Sequence, residues 1–415
     1  MKKADRIKKL SELVPSTKEV KKIRYQNLPL ERPVVEIPLE YLVYNKYNGR
    51  IKAITLSYER EFGPIDPIEN RDLLISFLWN SAEARNKQTK ESIENFGQNE
   101  PGIVTKDGII IDGNRRASII SKINNDIEKE EDKIKFRAII LPDELEKSRR
   151  DIIYLETVYQ IGVDSKVDYD PIEKYLRCQE LIDLGYDDSE IANMMAVKEP
   201  KIREWLEILG LMHEYLDHYG YSNLYTRLDK REGYFVDLFK YLKVYKGVYG
   251  KDIVDWQYDS DDTNTLKKTY FDYIRMRIPV QQVREIARTS NAKSYFTYEN
   301  IWNEFLSSHN GMKIGFDEPT IKELKKENPN ASFSELAWKK DQKWITELKS
   351  PADEILNYYG KKLYERKKSD RPVEILKSVL SSLENLNLQS YSKPYSNELG
   401  SLLQKIADKI DELVG

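Results

Sequence analysis

Apolar and polar positions alternate differently in the two parts of this chain. Short apolar runs bounded by turn residues predict strands near 34–43, 102–105, 108–112 and 135–141. From residue 143 onwards the apolar positions recur at helical spacing, and Gly185 and the segments 311–319 and 369–372 are predicted breaks between helices. The pattern therefore predicts an α+β domain followed by an all-α region.

This pattern predicts four segments. Residues 1–32 are a basic amino-terminal extension, with a lead helix and a proline-containing linker, and 33–150 are the α+β domain. Residues 52–86 are expected to be an insertion over a pocket, helical from Arg71 to Trp79. Residues 151–220 are a linker helix and a helix-turn-helix, and 221–415 are a helical carboxy-terminal domain. The apolar face of the tail is expected to pack as a terminal helix, with an oligomer seam as the alternative; it comprises Leu399, Leu402, Leu403, Ile406, Ile410 and Leu413.

The helix-turn-helix prediction depends on spacing. Pro171 suits the first turn of a helix that ends at Gly185, and a short helix follows at 188–192. A turn at 196–198 precedes a second helix at 199–209. Ala192, Ile202 and Trp205 have the spacing of the small and apolar positions at the crossing of such a helix pair.

The most informative segment is 91–123, ESIENFGQNEPGIVTKDGIIIDGNRRASIISKI. It predicts a helix, a hairpin turning at 106–108, and a turn at 112–114 that opens a second helix, with Asp112 or Asn114 as its cap. Arg115 and Arg116 then lie in the first helical turn, where backbone N–H groups already favour anions. They would form a phosphate site, or alternatively be solvated or paired with Glu128 and its neighbours.

The segment resembles the amino-terminal domain of ParB-type partition proteins and their sulfiredoxin-fold relatives. Those proteins have an SIxxxGxxxP helix and a GxRR turn; here Ser92, Ile93, Gly97, Pro101, Gly113, Arg115 and Arg116 match. Residues 37–50, from Ile37 through Asn45 to Arg50, are similar to the family's opening strand and NxxxxR element. The similarity covers roughly 33–220 and includes the DPIE sequence that begins at Asp170.

The resemblance implies a nucleotide switch. A nucleoside triphosphate, CTP above all, would bind with Mg²⁺, and its site would comprise Ser92, Gly97, Gln98, Pro101, Gly113, Asn114, Arg115 and Arg116. Glu156 would bring the metal, although Thr157 stands where the family has asparagine and no arginine follows. DNA and a second copy of the chain are the implied partners, in partition, transcription control or phage defence. A slow NTPase, a nuclease or kinase-type enzyme of the same fold, and a ligand-free scaffold remain alternatives.

Composition narrows these alternatives. The net charge is −3 and there is one cysteine, Cys178, which suits a reducing cytosol. Asn114 occupies the position of the sulfiredoxin cysteine, so the resemblance excludes redox repair. No run of 18 apolar residues or secretory leader is seen, and a cytoplasmic protein without membrane contact is expected.

Charge is uneven along the chain. Residues 1–52 hold 13 Lys/Arg against 6 Asp/Glu, whereas 169–217 hold 5 against 12. DNA-contacting candidates on the second helix are Lys198, Lys201 and Arg203, but the acidic surroundings predict weak DNA binding by isolated 165–220; sub-micromolar affinity would contradict this. Additional positive charge for DNA binding would come from residues 1–24 or from a second basic set. The alternative for that second set is a solvated charged helix that does not bind DNA. Its members are Arg275, Arg277, Arg284, Arg288 and Lys293.

Metal and nucleophile patterns are sparse. The histidines are His213, His218 and His309, without an HExxH motif or a Cys/His cluster. Asp259, Asp261 and Asp262 lack the glycine and glutamate of a calcium loop, so a flexible acidic loop is predicted there. No catalytic residue is nominated.

Overall fold

A computed structural model describes residues 1–26, 28–159, 170–248, 250–289, 293–385 and 396–414. It is mixed α/β with a small amino-terminal sheet region and a mostly helical remainder, as predicted at that level. The strands are β1 Val20–Tyr25, β2 Leu28–Pro33, β3 Val35–Ile37, β4 Gly102–Val104, β5 Ile110–Asp112 and β6 Phe136–Ile140. The helices up to the linker are α1 Lys3–Ser11, α2 Lys52–Phe62, α3 Arg71–Asn80, α4 Glu83–Phe96, α5 Asn114–Asn125 and α6 Arg149–Thr157.

The helical remainder begins with three helices, α7 Pro171–Asp183, α8 Asp188–Met194 and α9 Glu199–His218. Those that follow are α10 Glu232–Tyr245, α11 Gly250–Ile253, α12 Ser260–Arg275, α13 Val280–Ala287, α14 Glu299–Gly311, α15 Ile321–Glu327, α16 Phe333–Glu384 and α17 Ser396–Val414. Among the residues described, no helix combines the length and the apolar character needed to cross a bilayer.

The main sheet has the strand order β3-β6-β4-β5. β6 pairs antiparallel with β3 and parallel with β4, and β4 pairs antiparallel with β5. Its inward side chains, such as Ile37, Ile110, Phe136 and Ala138, are fully buried against α3 and α5. The predicted strands are confirmed, except that the first is only three residues long and continues as a 3₁₀ turn, Leu39–Tyr41.

The amino-terminal extension is more ordered than predicted. Its lead helix is confirmed as α1, but the expected linker is wrong, because β1 and β2 form an antiparallel hairpin. Leu10 and the guanidinium of Arg6 are buried on the domain, and Arg6 Nε donates a hydrogen bond to the carbonyl of Asp107. Alternating apolar positions on β1 pack against the sheet, which explains why this segment is not a solvated extension.

The segment 52–86 joins the two parts of the chain, and its residues Pro67, Ile68 and Arg71 also line a cavity of about 690 Å³ in the amino-terminal domain. The prediction of helix at 71–79 is confirmed by α3, but α2 packs against α7 and the 3₁₀ turn Tyr225–Leu228. A carboxylate of α7, that of Glu173, accepts a hydrogen bond of 2.9 Å from Ala53 N in the first turn of α2. The two parts therefore share a polar contact as well as an apolar one.

The helices of the predicted helix-turn-helix are present. Asp170 caps α7 with Pro171 in its first turn, and Asp187 and Glu190 form a capping box on α8. Buried Ile191, Ile202 and Trp205 lie between α8 and α9. Helix α9 extends nine residues beyond the predicted end, because apolar positions continue through a buried face to residue 216.

Three predictions for the carboxy-terminal region are wrong. The break at 369–372 lies inside α16, which holds Pro372 within an exposed stretch. The acidic residue Asp259 is the cap of α12 in a capping box with Asp262, not part of a flexible loop. The tail helix α17 leaves apolar side chains such as Leu402 and Leu413 exposed instead of packing them. The break at 311–319 is confirmed.

Candidate functional site

The predicted phosphate site lies where β5 turns into α5. Gly113 is the N-cap of α5 with φ +96°, and a Cβ built there would lie 2.7 Å from Cζ of Phe136. Neither of the predicted caps, Asp112 or Asn114, bonds the first amides, so that prediction is wrong. The first turn of α5 therefore combines two arginines with an amide end that has neither a side-chain cap nor an acidic residue.

The two arginines already interact with the protein. Arg116 Nη2 lies 2.9 Å from Asp112 Oδ2, and the Arg116 side chain is 24% exposed. Arg115 is half-buried and has a partner as well. The pairing of Arg116 with Asp112, one turn earlier, replaces the alternative pairing with Glu128. A cavity of about 690 Å³ in this domain lies at the other end of α5, beside Ser121 and Asn124.

Two of the predicted nucleotide-binding side chains, Gln98 and Asn114, form hydrogen bonds with the protein backbone instead. Gln98 is buried, and its amide exchanges two hydrogen bonds of 2.8 Å with the backbone of Arg137 on β6. Asn114 is also buried; its Nδ2 donates to the carbonyl of Ile110, and its Oδ1 accepts from Asn45 N at 3.0 Å. Both side chains use their amides in the fold, so these hydrogen bonds fix their orientation whether or not a ligand is bound.

The remaining predicted contacts lie at the end of α4. Ser92 is exposed, and Gly97 follows the helix with φ +73°, a conformation that glycine adopts without strain. Pro101 is buried, and its carbonyl accepts a hydrogen bond of 2.6 Å from Lys21 Nζ on β1. No described contact joins Ser92 or Gly97 to the arginine turn.

Glu156 lies at the centre of a buried polar cluster. The carboxylate is fully buried and faces four donors: Asn45 Nδ2 at 3.3 Å, Asn48 Nδ2 at 3.1 Å, Gly49 N at 3.4 Å and Arg177 Nη2 at 3.1 Å. This arrangement excludes the surface carboxylate that was the alternative. To bind magnesium, the Glu156 carboxylate would first have to give up its contacts with donors such as Arg177, so that the metal ion could take their place.

The cluster continues into α7. Arg177 Nη1 donates to Glu180 Oε2 at 3.0 Å, and Lys52 Nζ donates to the same carboxylate at 2.8 Å. Burial raises the pKa of Glu156, against the effect of Arg177. Burial also raises the pKa of Glu180, but Arg177 and Lys52 outweigh it and leave that pKa below its usual value.

Glu173 carries the strongest perturbation in this cluster. Burial raises its pKa to about 8, although the hydrogen bond from Ala53 N opposes this change. Its other oxygen, Oε2, has no hydrogen-bond partner. A buried carboxyl with one free oxygen is therefore protonated near neutral pH.

Two hydrogen bonds and one ion pair connect the arginine turn to α7. Asn45 N donates to Asn114 Oδ1, Asn45 Nδ2 donates to Glu156, and Glu156 forms an ion pair with Arg177. Of these residues, the sequence pattern predicted Asn114, whereas Asn45 and Glu156 were predicted only through the resemblance. Arg177 was missed; the available signal was that Glu173, Arg177 and Glu180 share one face of a helix at i, i+4 and i+7.

The candidate DNA contacts lie elsewhere, on α9 and the turn before it. Lys198 is exposed, whereas Lys201 Nζ pairs with Glu204 at 2.7 Å and Arg203 Nε pairs with Asp188 at 2.6 Å. In the second basic set, Arg275 is fully buried between Asp341 and Glu318, so its assignment to a basic or solvated face is wrong. Within the described ranges, no group of three or more His, Cys, Asp or Glu side chains could hold a metal ion.

Comparison with known proteins adds no relative. A scan against protein-family models and a search of the curated proteins both find no match to this chain.

Proposed function

We propose that the amino-terminal domain binds a nucleoside triphosphate, with CTP as the first candidate, and passes the bound state to the helix-turn-helix. The observation that carries the proposal is the uncapped first turn of α5 with Arg115 and Arg116. Such a helix end offers backbone N–H groups, a positive dipole end and two guanidiniums, which together suit phosphate oxygens. The ParB-like sequence pattern supports the same ligand.

The polar cluster around Glu156 would couple nucleotide binding at α5 to the position of α7. A phosphate that engages Arg116 competes with Asp112, and a shift of the α5 end acts on Asn114 and hence on Asn45. Asn45 bonds Glu156, whose ion pair with Arg177 anchors α7, the first helix of the DNA-binding unit. Nucleotide would therefore bias the position of α7, and DNA or a second copy of the chain would sense the change.

DNA contact is the weaker half of this proposal. Two of the three candidate cations, Lys201 and Arg203, already pair with acids, which leaves Lys198 as the exposed candidate outside those pairs. Affinity for a polyanion depends on cations that are available to phosphates. A DNA partner would therefore need additional basic surface, and α1 with β1 supplies the most basic stretch of the sequence.

The test uses the full chain and four nucleoside triphosphates, each with and without Mg²⁺. A ligand present at a hundred times its Kd stabilises the folded protein by about 2.7 kcal/mol, which a thermal-shift assay detects. We expect at least one triphosphate to raise the unfolding temperature, and the double variant Arg115→Ala/Arg116→Ala to lose that response. The matched control, Lys122→Gln on the same helix, should keep it.

The outcomes separate the alternatives. Stabilisation with slow or no turnover supports the switch, whereas rapid product formation supports an enzyme of the same fold. If no nucleotide shifts the unfolding temperature of the protein, the proposal is wrong and a scaffold is favoured. If the double variant responds to nucleotide as the wild type does, the site is not at Arg115 and Arg116, and the proposal is wrong as well. Hydrogen exchange tests the coupling, because nucleotide should change protection in α7 as well as in α5.

A further inference from the structure

The cavity of about 690 Å³ in the amino-terminal domain lies between Arg6 of α1 and the last turn of α5, at Ser121 and Asn124. The arginine turn that is proposed to bind phosphate is at the opposite end of α5, and none of its residues lines this cavity. Sites that hold small organic molecules have volumes of about 300–1,000 Å³. The cavity is therefore large enough for a ligand of its own.

Arg6 is a buried cation in the wall of this cavity. Only 5% of the residue is exposed, and its Nε donates a hydrogen bond to the carbonyl of Asp107. In the part of the chain that the structure describes, neither Nη1 nor Nη2 of Arg6 has a hydrogen-bond partner, although neither atom is enclosed by protein. Gly108 makes room for the side chain, because a Cβ there would lie 2.9 Å from Cδ of Arg6. The fold thus places a guanidinium at the cavity with both terminal nitrogens available.

No described carboxylate pairs directly with Arg6. The nearby carboxylate of Asp107 instead lies 3.6 Å from Lys3 Nζ and accepts a hydrogen bond of 2.6 Å from the hydroxyl of Thr105. Burial lowers the pKa of Arg6, and Asp107 opposes this change from a distance. A guanidinium nevertheless stays charged at neutral pH, and a buried charge without a counter-ion costs free energy. An anion in the cavity would remove that cost.

The other charged side chains in the cavity wall are mostly basic as well. The guanidinium of Arg71 is held by two backbone carbonyls, at 2.7 and 2.9 Å, so its charge has no acidic partner there. The charged lining residues are four cations and two carboxylates, Arg6, Arg71, Lys133 and Lys135 against Glu40 and Glu130. Four positive charges against two negative ones leave a net charge of +2, which attracts anions.

Most of the remaining wall is apolar. It includes Pro38, Leu39, Leu42, Val43, Pro67 and Ile68. Apolar side chains around a small number of placed polar groups are typical of sites for small organic molecules. The wall therefore suits an anion that carries an apolar body, rather than an inorganic ion.

The position of the cavity favours a single negative charge on the ligand. Ser121 and Asn124 belong to the last turn of α5, where the helix dipole is negative and repels anions. A phosphate dianion meets this repulsion about twice as strongly as a carboxylate. The two Nη atoms of Arg6 match the two oxygens of a carboxylate, and the hydroxyl of Ser121 can donate a further hydrogen bond.

We infer that this cavity binds a small organic monocarboxylate, whose charged group pairs with Arg6 and whose apolar body packs on the wall around Leu42 and Ile68. Arg6 belongs to α1, whereas the apolar wall belongs to the α+β domain. The bound ligand would therefore hold α1 on the domain. The site shares no residue with the proposed nucleotide site.

The first test is calorimetric titration of the full chain, without nucleotide, with butanoate, hexanoate and octanoate. Each methylene that enters the apolar part of the cavity should tighten the Kd by about fourfold. Hexanamide has the same body without the charge and should bind at least about tenfold more weakly than hexanoate. Hydrogen exchange with octanoate present should show greater protection of α1.

Two variants locate the site. Arg6→Met should weaken the binding of octanoate by at least about tenfold. Ile68→Asp places a negative charge in the wall on a side chain that is 48% exposed, so it should weaken binding without disturbing the core. The matched control is Val14→Asp, on a side chain that is 82% exposed and outside the cavity wall. Val14→Asp and the Arg115→Ala/Arg116→Ala variant should both bind octanoate as the wild type does.

The inference is overturned if none of the three carboxylates binds, or if hexanamide binds as tightly as hexanoate. Inorganic phosphate that binds more tightly than hexanoate would also overturn it, because the ligand would then be a phosphate. An Ile68→Asp protein with wild-type affinity would place the carboxylate elsewhere, and this readout does not depend on Arg6→Met folding. Since nucleotide is absent and the double arginine variant is included, failure here is distinct from failure of the nucleotide proposal.

Discussion

Replacement of Arg177 by methionine tests the polar cluster between the two parts of the chain. The Arg177 side chain is 1% exposed and is the only described cation paired with Glu156, at 3.1 Å, whereas Glu180 keeps Lys52 at 2.8 Å. Methionine has a similar length but no charge, so the variant leaves a buried carboxylate among neutral donors. Removing one partner of a buried pair costs about 3–5 kcal/mol.

The expected effect is a large fall in the unfolding temperature. For a unit of 150–250 residues, each kcal/mol corresponds to about 2–4 °C, so Arg177→Met should unfold roughly 6–20 °C below the wild type. Arg203→Met is the matched control, because it also removes an arginine from an ion pair, but on a side chain that is 68% exposed. Its unfolding temperature should stay close to that of the wild type.

The loss of stability in Arg177→Met should depend on pH, because the substitution changes the pKa of Glu156. Burial raises the pKa of Glu156, and loss of Arg177 raises it further, so the folded variant takes up a proton more readily than the unfolded chain. The deficit should therefore be smallest below about pH 4.5 and increase as the pH rises. Adding Glu156→Gln to the Arg177→Met variant should restore part of the lost stability. An Arg177→Met protein as stable as Arg203→Met would refute the reasoning.

Two further predictions concern single residues. The pKa of Glu173 is raised to about 8, so its stabilising contribution is complete below its unfolded value of about 4.5 and is lost as the pH rises to about 8. Thermal unfolding across this window should show Glu173→Gln gaining on the wild type by about 1.4 kcal/mol per pH unit, and parallel curves would contradict the assignment. Gly113→Ala should destabilise the protein by about 1–3 kcal/mol in denaturant titration, because φ is +96° and the new Cβ meets Phe136 at 2.7 Å. Gly210→Ala, in the open interior of α9, should instead be neutral or stabilising, and equal effects of the two would count against the turn geometry.

Local patterns predicted the elements whose signals are local. β6 is an apolar run ended by proline, α8 has its capping residues in sequence, and the turn before α5 is marked by Gly113. The β1–β2 hairpin was missed because it gains its order from packing on the distant strands of the sheet. The continuation of α16 through Pro372 was missed for a different reason, because proline usually ends a helix.

The candidate site also combines features that a local sequence signal predicts with features that depend on distant residues. Arg115 and Arg116 could be placed at a helix start from the sequence, because a glycine turn followed by helical spacing is a local signal. The partners of Glu156 could not, because Asn45 and Arg177 lie 111 and 21 positions away from it along the chain. Gln98 and Asn114 were assigned to a ligand because their types suit one, whereas their amides hydrogen-bond the backbone of neighbouring strands and loops.

The sequence by itself determined the order of the elements, the α/β and helical parts, the helix pair α8–α9 and the two arginines at the start of α5. These follow from periodicity, caps and turns, which act over a few residues. The tertiary structure alone decided which charges are buried together, that α2 joins the two parts, and that the apolar faces of α16 and α17 remain uncovered. Those properties depend on long-range packing, because burial sets both the cost of a charge and the value of an apolar side chain.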